Sequence, residues 1–173
     1  MSLHSKFGAG KGKALKGGVN DMVMTPPPVA RAIVASLPIQ PTDSLLDPFR
    51  GDGAFYNSFP ASNSKDWCEI QEGRDFFDYH AHVDWIISNP PYSIFDEVLT
   101  HSFVIADNVV LLVPLSKVVS SLRRIRQIKD YGGVPTVHIV SASRCGFPFG
   151  FPACAIHMKR GYTGATQITE GEL

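Results

Sequence analysis

The chain reads as an α/β fold: a mostly parallel sheet with helices on both faces and an antiparallel hairpin at the C-terminal end. Three observations carry that expectation. Short apolar runs alternate with helical stretches, the pattern of strand–helix–strand units. Val109-Val110-Leu111-Leu112-Val113 is a continuous apolar run of the kind buried parallel strands show. Two further strand-like segments, near Thr136–Val140 and Ala153–Met158, close the chain with an aromatic loop between them.

The elements follow in order. Residues 1–20 mix Gly8, Gly10, Gly12, Gly17 and Gly18 with lysines and read as a flexible basic arm. A phosphate-loop reading of those glycines fails: no strand precedes them, and Ala14 follows Lys13 where Ser or Thr is needed. Pro26-Pro27-Pro28 opens a helix through Val34, since proline suits a first helical turn. Ser44-Leu45-Leu46-Asp47 is a short strand, and a second lies around Trp67-Cys68-Glu69-Ile70. A third, Val83 to Ser88, ends at Asn89, and a helix spans Ile94 to Ile105. After the strand at Val109–Val113, a basic helix is expected from about Val118 to Lys129. One catalytic domain is expected over 21–162, with a tail at 163–173; 173 residues suffice for one well-buried core.

Composition narrows the function classes. Hydrophobic residues make up 44% and charged residues 18%, so the chain is globular in type. Neither a membrane-length apolar stretch nor a signal-peptide core is visible, and a cytoplasmic location is expected. Cys68, Cys145 and Cys154 lack metal-ligand spacing, and His80 and His82 have no partner cluster. Reduced thiols and no metal site are expected. The net charge of zero is unevenly spread. Acids outnumber bases from Asp43 to Asp107, whereas Lys117, Arg123, Arg124, Arg126, Lys129, Arg144, Lys159 and Arg160 face only Asp130. Such a basic flank suits a polyanion, with Arg123, Arg124 and Arg126 as candidate nucleic-acid contacts, although charge runs are usually solvated helix faces.

Two motifs carry the chemistry. Asn89-Pro90-Pro91-Tyr92 closes the third strand. Two prolines stiffen the turn and remove two donors, leaving the Asn89 side-chain oxygen and the Pro90 carbonyl to accept from one planar amino group, while Tyr92 stacks on its ring. That arrangement suits methyl transfer to an exocyclic or amide nitrogen. The second motif, Asp47-Pro48-Phe49-Arg50-Gly51-Asp52-Gly53, follows the first strand and precedes what reads as a helix, and Gly51 and Gly53 let the backbone approach a ligand. With two acids and one Arg it favours a ligand having a cationic amino-acid portion over a pyrophosphate. Glu69, at the next strand end, is placed for ribose hydroxyls, and Asp75-Phe76 for an adenine amino group and ring.

In this linear order the chain resembles class I S-adenosylmethionine-dependent methyltransferases, specifically the DNA adenine-N6 group, over roughly residues 20–160. The matching residues are Thr25-Pro26, Asp47-Pro48-Phe49-x-Gly51-x-Gly53, Glu69, Asp75-Phe76 and Asn89–Tyr92. The resemblance implies a Rossmann-like methyltransferase sheet and S-adenosylmethionine as cofactor. It implies direct in-line methyl transfer to adenine N6 in DNA, with no covalent enzyme intermediate. Thr25 and Pro26 would hold the methionine end, Asp47 would meet its amino group, Gly51 and Gly53 would let it lie close, Glu69 would bind ribose, and Asp75 with Phe76 the adenine. Asn89 and Pro90 would orient the target amine, Pro91 would stiffen the turn and Tyr92 would stack on the flipped base. Phe147 or Phe149 could form the opposite wall, or simply pack at the hairpin. The chain leaves no room for a separate recognition domain between Gly53 and Asn89, so a recognition subunit or a second copy is a possible partner. Its size looks like that of phage or mobile-element products. Alternatives are an RNA base amino-methyltransferase, a protein glutamine-N5 methyltransferase, and a silent cofactor-fold subunit that binds nucleic acid.

Overall fold

A computed structural model describes residues 23–141 and 152–170. The basic arm at 1–20, Cys145, Phe147 and Phe149 lie outside these. The seven strands are β1 (Ser44–Asp47), β2 (Ser64–Trp67), β3 (Val83–Ser88), β4 (Ala106–Pro114), β5 (Gly132–Val140), β6 (Ala153–Arg160) and β7 (Gln167–Glu170). They form one sheet in the order β2-β1-β3-β4-β6-β5-β7. The first four strands pair in parallel, while β6 runs antiparallel to both β4 and β5. The expected class, a Rossmann-like mostly parallel sheet with a C-terminal antiparallel hairpin, is the observed one.

Side chains alternate across the sheet because strand period is two. Val109, Leu111 and Val113 enter one core with Ile86, Ile156 and Met158; Val110 and Leu112 enter the other with Leu45, Ile87 and Ala155. The first core is covered by α2 (Phe95–Ile105), α3 (Leu115–Val119) and α4 (Leu122–Tyr131). The second is covered by α1 (Pro27–Ala35), through Val29, Ala30, Ile33 and Val34, with Phe55 and Phe59 beside it.

Several details depart from expectation. No helix follows the glycine turn; a single 3-10 turn, Tyr56–Ser58, stands there, and its Phe55 and Phe59 flanks plug the core in place of a helix face. The second strand stops at Trp67, and Glu69 lies beyond it, bridged to Arg74. The basic helix is two helices, broken at Ser120-Ser121, where Ser121 Oγ accepts from the Arg124 amide and caps the second. The segment expected as a tail carries β7, parallel to β5.

Two buried polar groups tie the sheet together. On the α1 side His157 is nearly closed off, stacked on Trp85 at 5.1 Å with Nε2 3.0 Å from Asn108 Oδ1. Burial, aided by the charge on Lys159, pushes its pKa down to about 4. At the end of β1 the Asp47 carboxylate is 1% exposed. Its Oδ1 accepts from Ser88 Oγ at 2.6 Å and its Oδ2 from the Tyr56 amide at 3.2 Å. Burial raises its pKa to about 6 despite those hydrogen bonds.

Both groups make stability pH-dependent, with signs that follow from proton counts. Between pH 6.5 and about 4 the unfolded chain protonates His157 and the folded chain does not, so its contribution to stability falls as pH falls. Relative to His157→Gln, wild type should lose up to about 3 kcal/mol across that window in urea titrations. A pH-independent difference would show that His157 does not titrate in this way. For Asp47 the folded value lies above the unfolded one, so its charged form is the costly form above pH 6. Ser88→Ala removes a donor to that charge and should cost about 1–3 kcal/mol at pH 8 but markedly less at pH 5. Equal costs at the two values would mean that Ser88 does not act through the carboxylate.

Candidate functional site

The C-terminal ends of β1 and β3 lie side by side, and the two motifs of the sequence meet there. The Asp47–Ser88 hydrogen bond joins the last residues of these strands, fixing the glycine turn against the Asn89–Tyr92 turn. The glycine turn is held from below: Cys68 N donates to Asp47 O at 2.9 Å, Arg50 N to Cys68 O at 3.0 Å, and Gly53 N to Arg50 O at 2.8 Å. Gly51 and Gly53 have φ of 49° and 86°, a region that disfavours side chains. A Cβ on Gly51 would lie 2.8 Å from Met24 Sδ, and one on Gly53 would lie 2.9 Å from Asn57 Nδ2. The backbone here is therefore bare by necessity.

Beside this turn is a cavity lined by Val23, Met24, Thr25, Phe49, Gly51 and Asn89, among others. A second cavity adjoins it around Pro26, Arg31, Asp52 and Asn57, with Met24, Thr25, Asp52 and Ala54 shared by both. Thr25 and Pro26 thus lie beside the glycine turn. The segment before α1 reaches across to β3: Asn89 Nδ2 donates to Val23 O at 2.8 Å and to Thr25 Oγ1 at 3.2 Å. The Val23 carbonyl can only accept, so the nitrogen of the Asn89 amide must face it. Both amide hydrogens are then spent, and what this side chain can offer a ligand is its oxygen. Pro90 is buried beside it and Tyr92 is half-buried against the core.

Other expected residues are placed as follows. Asp47 is engaged beneath the turn, and Asp52, on the turn's far side, is the acid that lines both cavities. Glu69 reaches the turn, accepting from Gly51 N through Oε2 at 3.0 Å and from Gln71 N through Oε1 at 3.1 Å. Asp75 accepts from Phe77 N at 2.9 Å and caps a 3-10 turn. Phe76 is 2% exposed and packs edge-on to Phe49 and His101, while Phe77 is the more open ring. Arg123 and Arg126 are exposed on α4. Arg124 is not: its guanidinium grips both Asp96 oxygens and the Lys117 carbonyl and lies over Phe95, holding the Asp96 carboxyl below its usual pKa. Val23, Met24 and Arg31 line the cavities without having been singled out, and Phe49 and Asp52 line them as members of the glycine motif. Among the described residues no cluster of ligands could hold a metal ion, and no helix is long and apolar enough to cross a membrane.

No family model matches the chain and no curated protein matches it in sequence. Solved structures do match in fold. A Listeria monocytogenes protein assigned to the class I S-adenosylmethionine-dependent methyltransferases superposes with a TM-score of 0.66 at 12% identity, over 88% of this chain and 67% of that one. The M protein of the type I restriction enzyme EcoKI gives 0.61 at 11% identity, over 82% of this chain and 44% of that one. The 23S rRNA methyltransferase ErmE gives 0.58 at 14% identity, over 83% and 70%. The chain spans less than half of the restriction-enzyme subunit. Identities this low speak for architecture alone, and the architecture is the Rossmann-like fold of class I S-adenosylmethionine-dependent methyltransferases.

Proposed function

We propose that this chain is an S-adenosylmethionine-dependent methyltransferase acting on the exocyclic N6 of adenine in DNA. The observation that carries the reading is the Asn89 amide. With its nitrogen committed to Val23 and Thr25, it presents an oxygen acceptor at the edge of the glycine-turn cavity. The bare backbone at Gly51 and Gly53 fits a ligand that must lie flat against the turn, and Asp52 with Thr25 supplies polar groups for its amino-acid end. Glu69 and Asp75 remain the proposed partners of ribose and adenine amino group, and the half-buried Phe49 and the more open Phe77, both packed on Phe76, provide aromatic surface nearby.

When bound, S-adenosylmethionine supplies an electrophilic methyl group and leaves as a neutral thioether. The chain's own contribution is to the nitrogen. An adenine amino lone pair is delocalised into the ring. Accepting one N–H at Asn89 Oδ1 and the other at the Pro90 carbonyl favours the attacking geometry and stabilises the positive charge that grows on nitrogen. Pro91, with φ of −58°, holds the turn, and Tyr92 offers its ring to the extruded base. The new carbon–nitrogen bond replaces the sulfur–carbon bond, and one amino proton is released to water. Fixing the two partners in line supplies much of the remaining acceleration.

An RNA base is the second reading, supported by the likeness in fold to an rRNA methyltransferase. A protein glutamine is less favoured, because exposed Arg123 and Arg126 suit phosphates. The deciding experiment incubates purified protein with methyl-labelled S-adenosylmethionine and, separately, unmethylated DNA, bulk RNA and protein extract. N6-methyladenine in the DNA digest is expected; label confined to RNA or protein overturns the DNA assignment. Asn89→Ala should lower turnover by at least about 100-fold while cofactor binding persists. Thr25→Val, which leaves one Asn89 hydrogen without its acceptor and loosens the amide on its remaining Val23 bond, should lower kcat about tenfold, with Thr25→Ser restoring it. An Asn89→Ala enzyme of full activity would remove the mechanism.

A further inference from the structure

The rim above the Asn89 turn has an unusual surface. β4 continues three residues past Leu111, the partner of Ser88, so its end stands roughly 10 Å beyond the end of β3. From that height the chain turns into α3, then α4, and the corner between them carries Val119 at 57% exposure and Leu122 at 72%. Two large aliphatic side chains flanking Ser120-Ser121 contribute nothing to either core, and bare apolar tips are costly in water.

The corner is rigid and tied to the catalytic turn. Lys117 Nζ donates to the Tyr92 carbonyl at 3.3 Å. Arg124 anchors the start of α4 to Asp96 in the first turn of α2 and to the Lys117 carbonyl, and Ser121 caps α4. Behind the tip, Arg123, Arg126 and Lys129 are all exposed on α4. Leu122, Arg126 and Lys129 share one helix face, four and three residues apart, over about 10 Å of axis. Arg123 and Arg126 form no ion pair among the described residues. An apolar tip leading a cationic stripe matches one occupant: a duplex whose phosphates lie on the arginines and whose base stack receives the tip.

We infer that Val119 and Leu122 form a wedge that fills the stack of duplex DNA at the position vacated by the target base, with Arg123 and Arg126 holding the flanking phosphates. The inference rests on the nucleic-acid reading above and adds how a target base is extruded. Aliphatic wedges that part base steps are an established way to lower the cost of distorting a duplex. Here the wedge is fixed to Tyr92 through Lys117, so extrusion and stacking on Tyr92 occur over one rigid lip.

The test is binding, so it does not depend on turnover. Fluorescent DNA duplexes of about two helical turns, one fully paired and one with a single mismatched adenine, are titrated with full-length protein and a cofactor analogue, alongside the single strand. Wild type should bind the mismatched duplex at least about fivefold tighter than the paired one, because unstacking is partly done. The double variant Val119→Ser with Leu122→Ser should lose that preference while keeping its affinity for the single strand, its thermal midpoint and its cofactor affinity. Arg123→Gln and Arg126→Gln should weaken both duplexes alike and each lower the salt slope by about one. No mismatch preference in wild type, or one that survives in the double variant, overturns the wedge. So does an equal loss on single strand and duplex. Absence of methylation on every substrate would instead strike the proposed function, leaving the binding result to decide the wedge.

Discussion

One buried carboxylate organises the site. Asp47 sits at the junction of β1 and the glycine turn, and its two oxygens reach a hydroxyl on β3 and an amide on the far side of the turn. Three pieces of backbone that must keep a fixed spacing are thereby joined by a group that cannot swing. Burying it is unfavourable, as its raised pKa shows, so a carboxylate at this position is not there for stability alone. What it supplies is register: the carbonyls and bare glycines of one turn stay a constant distance from the acceptors of the other. Glu69 repeats the device from the other flank, bonding Gly51 N from beyond the end of β2.

A second constraint runs across the first. The segment Val23–Thr25, before α1, lies against Asn89 although more than sixty residues separate them. Its carbonyl is a one-way acceptor, and that alone determines which end of the Asn89 amide is left for a ligand. The same segment supplies Met24 to the wall over Gly51. The glycine-turn cavity and the Asn89 amide therefore share a wall, and disturbing that segment should affect both. The sheet can afford so few helices on the α1 face because Phe55 and Phe59, from the loop after the glycine turn, fill space that a helix would otherwise cover.

Much of this was legible from residue order, since the cues were local. The apolar run in β4, proline-locked Asn89–Tyr92 and the paired glycines each encode backbone geometry within a few residues. The rest depended on distance. Asp47 and Asp52 look alike in sequence, yet one belongs to a strand buried on both faces and the other lies within the turn; only the sheet separates them. Arg123, Arg124 and Arg126 read as one basic cluster, but helical phase turns the middle one inward to Asp96, a residue on a different helix. The break at Ser120-Ser121 was likewise hidden, because Ser and the flanking aliphatics fit a continuous helix until the capping hydrogen bond is seen.

Removing Arg124 from the exposed basic set changes what the basic half of the chain can offer a polyanion. A cluster of three mobile arginines would attract a polyanion without orienting it, since long flexible cations give affinity with little geometry. With Arg124 spent on Asp96 and on the Lys117 carbonyl, the two remaining cations project from a helix whose start is braced against the Asn89–Tyr92 turn. Their positions relative to Asn89 are then set by the same rigid framework that Asp47 holds together. On the proposed nucleic-acid reading, a base is placed accurately only if the phosphate contacts are fixed relative to the Asn89–Tyr92 turn, and the internal Arg124 supplies that bracing.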